Sequence, residues 1–330
     1  MIQLYSYFVN MICMLIYKTV AFYIAFSLKT CYFIPNTQGG MYMYQVIKDY
    51  RNNSVLRHSF NELASETFGI DFEDWYQNGF WGEHYNPHSI VVDNRVVANV
   101  SVNVTDFLFE GNIMHFLQLG TVMTEKSYRN RGLIRRIMNE IEHDYKDKVD
   151  GIYLFGNDNV LDFYPKFGFQ KSKEYLYEKE LNNTGKCQLE KVIMDNPEAW
   201  HRLEQAMQNN SFHGQFDMIG NPELIMFYVT KYMQDSVYYH KDSDTFIIAE
   251  VENDTLFIHN IFSCSLDTVD AVTKLFGEDL KKVTLGFTPQ DTEYYTVREF
   301  HEDDCTFFIR GEQLQIMEEH KLRIPSLAHA

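Results

Sequence analysis

Between His88 and Thr124 apolar and polar residues alternate in three runs, separated by Asp93-Asn94 and by Glu110-Gly111-Asn112. Alternation puts every second side chain on one face of a strand and both interruptions are turn signals, so this stretch predicts an antiparallel meander. Upstream, MYMYQVI (41–47) alternates as a strand would, whereas SVLRHSFNELASETFG (54–69) carries apolar residues at helical spacing. Ser54 is placed to cap that helix and Gly69 to end it, and a second short helix is expected from Asp71. Downstream, Leu133, Ile134, Ile137, Met138 and Ile141 share one face of a helix of about 15 residues. GIYLFG (151–156) then reads as a buried strand.

The stretch 157–181 predicts a short helix, broken by Pro165 and Gly168, and a closing strand. The polar NNTGKCQ (182–188) reads as a linker. Beyond it come helices near 196–209 and 221–234, a hairpin-like pair over 236–262, a helix over 266–276, a strand at 282–289 and a last strand near 305–311. The second half thus repeats the first loosely, without a matching sequence repeat. The expected fold is α/β (α+β): a mixed, mainly antiparallel sheet flanked by helices over 41–181, then a second α/β domain over 182–330.

Length supports roughly two domains of ordinary size. With 45% hydrophobic and 15% aromatic residues the chain is well above the composition of disordered segments. A formal net charge of −17 excludes a broad basic face for nucleic acid and would instead attract a cationic amine. Cys13, Cys31, Cys187, Cys264 and Cys305 form no C-x-x-C pair and fit a reduced, cytoplasmic setting. Residues 1–40 stand apart. They hold no acid, two lysines (Lys18 and Lys29) and a nearly apolar run from Met11 to Leu28. That run reads as a membrane anchor with Lys18 as a costly interruption, as a spurious extension ahead of a start at Met41 or Met43, or as an apolar arm.

The positive charge concentrates in YRNRGLIRR (128–136), where Arg129, Arg131, Arg135 and Arg136 surround Gly132 at a helix start. Such a start directs backbone N–H groups and the positive dipole end at an anion, phosphate above all. Other constellations are poorer. Pro87 disfavours the helix that would align His84 and His88, HEDD (301–304) lacks a second ligand cluster, and no metal is expected.

VMTEKSYRNRGLI (122–134) and NDNVLDFYPKFGF (157–169) resemble the two signature segments of the GNAT superfamily of acyl-CoA-dependent N-acyltransferases. Arg129 and Gly132 match the R-x-x-G of the first. Asn157, Phe163, Tyr164, Lys166, Gly168 and Phe169 match the second, while Ile134 and Val160 depart from the usual small residues. The resemblance implies that acetyl-CoA is the cosubstrate, its pantetheine pairing with Val122, Met123 and Thr124. The pyrophosphate would rest on amides of Asn130, Arg131, Gly132, Leu133 and Ile134, with Arg129, Arg131 and Arg135 adding charge. Asn157 would bond the pantetheine, and Tyr164 would protonate the leaving thiolate. The acceptor is implied to be a small-molecule or peptide amine, met by the segment 71–87 through Trp75, Tyr76, Phe80, Trp81 and Glu83.

The base stays open among Glu125, His115, Asp158, Glu83 and, as in some tandem relatives, a C-terminal carboxylate. In the second half LDTVDAVTKLFG (266–277) has no arginine and no early glycine, so it implies a degenerate copy. The implied function is an N-acetyltransferase working by direct attack of a primary amine. A noncatalytic acyl-CoA-binding protein and an aminoacyl-tRNA-dependent transferase of tandem GNAT-like fold are the alternatives, and a homodimer is open to all three. Location is expected to be cytoplasmic, or membrane-anchored through residues 11–28.

Overall fold

The computed structural model describes residues 44–210, 214–265 and 268–330. The run 11–28, with its anchor reading, lies outside them. Strand β1 (Val46–Ile47), helix α1 (Ser54–Phe68) and the short α2 (Glu73–Gln77) lead into the meander β2 (Tyr85–Val92), β3 (Arg95–Phe109) and β4 (Asn112–Thr124). Helix α3 (Leu133–Tyr145) and β5 (Gly151–Gly156) follow, then two 3₁₀ turns, β6 (Gln170–Lys171) and β7 (Glu174–Glu180). The second half comprises β8 (Glu190–Val192), α4 (Pro197–Gln208), β9 (Phe216–Ile219), α5 (Pro222–Lys231), β10 (Val237–His240), β11 (Thr245–Glu252), β12 (Thr255–Phe262), α6 (Val269–Lys274), β13 (Lys282–Leu285), β14 (Thr296–Phe300), β15 (Thr306–Arg310) and α7 (Ile316–Glu319).

The fold is mixed α/β with mainly antiparallel sheets, as the hydrophobic pattern predicts. Local details differ. Asn53, not Ser54, caps α1: its side chain accepts from the amides of Val55 and Leu56 because its backbone holds the extended conformation a cap needs. The stretch read as a hairpin pair over 236–262 is three strands, β10 to β12.

The first sheet runs β1-β2-β3-β4-β5-β15-β6, with β9 added along β3; the second runs β8-β10-β11-β12-β13-β7-β14. In each, antiparallel strands lead to one parallel pair, β4 with β5 and β12 with β13. The strand beyond that pair comes from the other half of the chain. Residues 306–310 close the first sheet against β5, and residues 174–180 close the second against β13. The sheets therefore do not part at residue 181.

Each sheet carries an amphipathic helix on one face. Leu133, Ile137, Met138 and Ile141 of α3 bury themselves with Val100, Val102, Leu117 and Leu154, and Val269 and Val272 of α6 with Ile258, Val283 and Leu285. Burying side chains of this size contributes roughly 1.5–3 kcal/mol each, which fixes both helices to their sheets.

Candidate active site

Parallel pairing of β4 with β5 ends at Leu119 and Leu154; beyond that point the two strands diverge. A bulge enforces the divergence. Thr121 and Val122 lie opposite the single residue Val100 of β3, and Thr121 takes the left-handed region at φ 41°. Buried polar side chains pin this conformation: Asn99 Nδ2 donates to Thr121 O at 2.9 Å, Thr121 Oγ1 donates to Ser101 Oγ at 2.6 Å, and Tyr85 Oη lies 2.8 Å from Thr121 Oγ1. Burial pushes the Tyr85 phenol up to about 12, so it stays protonated.

Next to the split, α3 starts without a side-chain cap. Gly132 occupies its N-cap position at φ 73°, Asn130 is left-handed at φ 61°, and a Cβ on Gly132 would meet nothing within 4 Å. The first-turn amides of a helix have no intrahelical acceptor, so this end is an open donor set. The guanidinium groups around it are exposed and held from behind. Arg129 Nε donates to Thr124 O at 3.2 Å and Arg131 Nη2 to Ser127 O at 2.7 Å, while Arg135 lies over the Phe167 ring at 5.0 Å. Leu133 is buried and Ile134 packs against the same core, so only their backbones face the loop. These residues suit the pyrophosphate of a coenzyme A thioester.

Val122, Asn157 and Tyr164 line one cleft of about 170 Å³ that opens at the split. Asn157 also caps the following turn, accepting from Asn159 N at 3.1 Å. Tyr164 is buried against Phe169 and Phe308, and Gly156 passes so close that a Cβ there would meet its ring at 2.9 Å. Met123 turns its side chain into the core on the opposite face.

Of the residues expected to meet the acceptor, Trp75 lines the cleft. The others do not. Tyr76 stacks on Arg57 at 3.7 Å, Trp81 is buried with its Nε1 donating to Tyr85 O, Phe80 packs on Trp200, and Glu83 is exposed beside Arg51. Two other acids of that segment are engaged as well, Glu73 by Arg57 and Asp71 by Lys231, and Asp74 is exposed. Of the segment 71–87, Phe72, Trp75 and Tyr85 line the cleft, while Tyr76, Phe80, Trp81 and Glu83 serve packing and ion pairs beside it.

None of the side chains considered as a base reaches the cleft. Glu125 pairs with Arg95 at 3.2 Å, His115 pairs with Asp106 at the far end of β4, and Asp158 is exposed. The far wall instead comes from α5 and from the last residues: Phe227, Tyr228, Leu327, His329 and Ala330. Gln118 and Ala330 exchange two hydrogen bonds, 2.9 Å from Ala330 N and 3.2 Å to its O, and Tyr228 donates to His329 O at 2.6 Å. Burial and the nearby Arg323 charge push His329 down to about 3.

Among the described residues, no group of three His, Cys, Asp or Glu gathers as a metal site, and no helix is long and apolar enough to cross a membrane. The acetyltransferase (GNAT) domain family matches residues 53–172. No curated protein sequence matches the chain. Among solved structures, the fold is similar to a protein of Enterococcus faecalis V583 described as a probable N-acyltransferase, at 16% identity and a TM-score of 0.55, over 84% of this chain and 74% of that one. A GCN5-related N-acetyltransferase from Kribbella flavida aligns at 13% identity and a TM-score of 0.47, over 81% and 72%. The family match spans the meander, the uncapped helix and Tyr164, so residues 53–172 carry an acetyltransferase (GNAT) domain.

Proposed function

We propose that the protein transfers an acetyl group from acetyl-CoA to a primary amine by direct attack. The observation that carries this reading is the placement of the arginine-flanked, uncapped start of α3 at the same end of the β4/β5 split as Asn157 and Tyr164. Pyrophosphate on the amides of residues 130–134 would direct the pantetheine along Val122 to Thr124 and its thioester into the cleft. A neutral amine attacks the thioester carbonyl carbon, the C–N bond forms and the C–S bond breaks. Backbone N–H groups of β4 polarise the carbonyl oxygen. The nitrogen gives its proton to water in the cleft, and Tyr164 donates its phenolic proton to the thiolate. Gathering both reactants in one cleft supplies much of the acceleration through orientation.

Calorimetric titration of the full chain with acetyl-CoA, beside the double variant Arg129→Ala/Gly132→Trp, tests the site. Micromolar binding that the variant loses, with acetylated amine and free thiol appearing together, is expected. A folded protein that binds no acetyl-CoA would remove the reading; binding without turnover on any amine would make it a carrier.

A further inference from the structure

Beyond Tyr164 the cleft forms a chamber lined by a cluster of aromatic rings. Phe72 stacks on Phe227 at 5.5 Å, Trp75 meets Phe227 edge-on at 5.4 Å, and Tyr232 does so at 5.4 Å from the other side. Tyr85 completes the wall. A body rich in hydroxyl groups would lose its hydration here without replacement bonds, so the chamber selects an apolar one.

The far end is different. Glu250 of β11 and His259 of β12 also line the cleft, with His259 Nε2 3.5 Å from Glu250 Oε2 and His259 Nδ1 2.9 Å from Ser326 Oγ. The Glu250 side chain keeps 24% of its surface exposed, and it and Tyr232 also line a second cleft of the other sheet. It offers a carboxylate to the chamber beside His259 and Ser326.

The distance between the two ends follows from the tail. Ser326 lies beside His259, Ala330 beside Gln118, and the segment between them begins with a 3₁₀ turn over residues 326–328. At about 2 Å per residue in the turn and about 3.4 Å beyond it, the tail spans roughly 10 Å. Glu250 is thus too distant to touch the nitrogen that attacks a thioester at the split, and well placed for a second positive group on the same molecule.

We propose that the acceptor is a diamine with an apolar body: one primary amine reaches the split, the body fills the chamber, and a distal ammonium pairs with Glu250. This rests on the acetyl-transfer reading and names its substrate class. One nitrogen is acylated as its C–N bond forms and the C–S bond breaks, its proton passing to water and the thiolate taking one from Tyr164; the other nitrogen stays an ammonium. The carboxylate offsets the cost of bringing that charge out of water, the aromatic faces attract it, and the strongly negative chain draws it in.

The test uses the full chain, acetyl-CoA and a ladder of diaminobutane, diaminohexane, diaminooctane and diaminodecane, with octylamine and a polyhydroxylated aminoglycoside for comparison. kcat/KM is expected to peak near diaminooctane, about tenfold above diaminobutane, the loss of one charge-assisted contact being worth that factor. Glu250→Gln should raise KM for diaminooctane about tenfold while leaving kcat, the octylamine KM and acetyl-CoA affinity unchanged. Equal use of diaminobutane or the aminoglycoside would overturn the proposal, as would a preference for octanoyl-CoA over acetyl-CoA, which would put an acyl chain in the chamber. If Glu250→Gln does not fold, the ladder on the native protein decides alone. Transfer without length preference sinks only this inference; no transfer to any amine, with acetyl-CoA bound, sinks the acetyl-transfer reading itself.

Discussion

The two sheets share a strand order, yet they treat their parallel pair and its helix in opposite ways. Helix α3 begins at left-handed Gly132 with no side-chain cap, no acid in its first turn and arginines around it. Helix α6 begins at Thr268, whose hydroxyl accepts from Ala271 N at 3.2 Å, and carries Asp270 in its first turn. One start leaves its amides and dipole for an anion; the other satisfies an amide with its own side chain and places a negative charge where a phosphate would sit. The splits differ likewise. Between β4 and β5 the cleft opens, whereas beyond β12 and β13 the tail enters: Ser326 N donates to Gly286 O at 2.7 Å and Gly286 N to Ile258 O at 2.8 Å. A single topology thus forms an open cleft, the candidate reaction site, in one half and a seat for the chain's own tail in the other, and the choice rests on a handful of residues.

The largest test of that contrast is Gly132→Val. A β-branched residue at φ 73° is strained and crowds the donor set, so acetyl-CoA affinity should fall about a hundredfold by titration, while Thr268→Ala at the other helix start should lower stability by about 1 kcal/mol and leave affinity alone. Equal loss of affinity in both would erase the distinction. Tyr164→Phe comes next: with the proton donor removed and the ring kept, kcat should drop on the order of tenfold to a hundredfold at nearly constant acetyl-CoA affinity. Arg131→Ala should weaken acetyl-CoA binding about tenfold and flatten its salt dependence, as one exposed charge-assisted contact would.

The smallest effect concerns the tail's surroundings. Burial pushes Glu302 up to about 8 and Glu174 up to about 7, the Arg323 charge opposing it in both. Carboxyls raised above their unfolded value of 4.5 bind protons the unfolded chain has released. Their contribution is therefore full below that value and lost as pH rises through 7 and 8. His329, pushed down to about 3, runs the other way: its contribution is present above 6.5 and lost on acidification. Melting temperature should decline between about pH 6.5 and 8, and Glu302→Gln should flatten that decline. An unchanged slope would show that Glu302 ionises freely in the folded protein.

What the sequence made legible is local. Alternation and turn signals located the meander, the helical face of α3 located its buried stripe, and the glycine among arginines marked the uncapped helix start, because each depends on neighbours a few residues apart. The far wall of the cleft was not legible in the same way. Phe227, Tyr232, Glu250 and His329 reach the cleft from the second half through long-range pairing that no short window contains, whereas the aromatic and acidic cluster at 71–87 carries the stronger local signal. Asn53 and Ser54 are equally good caps by type; backbone conformation alone separates them.

The exchange of strands between the sheets has a bearing on synthesis. Strand β5 receives its outer neighbour only when Thr306 emerges, about 150 residues after Gly156, a delay of roughly 8 to 30 s at about 5–20 residues per second. During that interval the nascent first half presents a strand edge that a second nascent chain could capture, which places this protein among those with reason to fold under the cover of a chaperone.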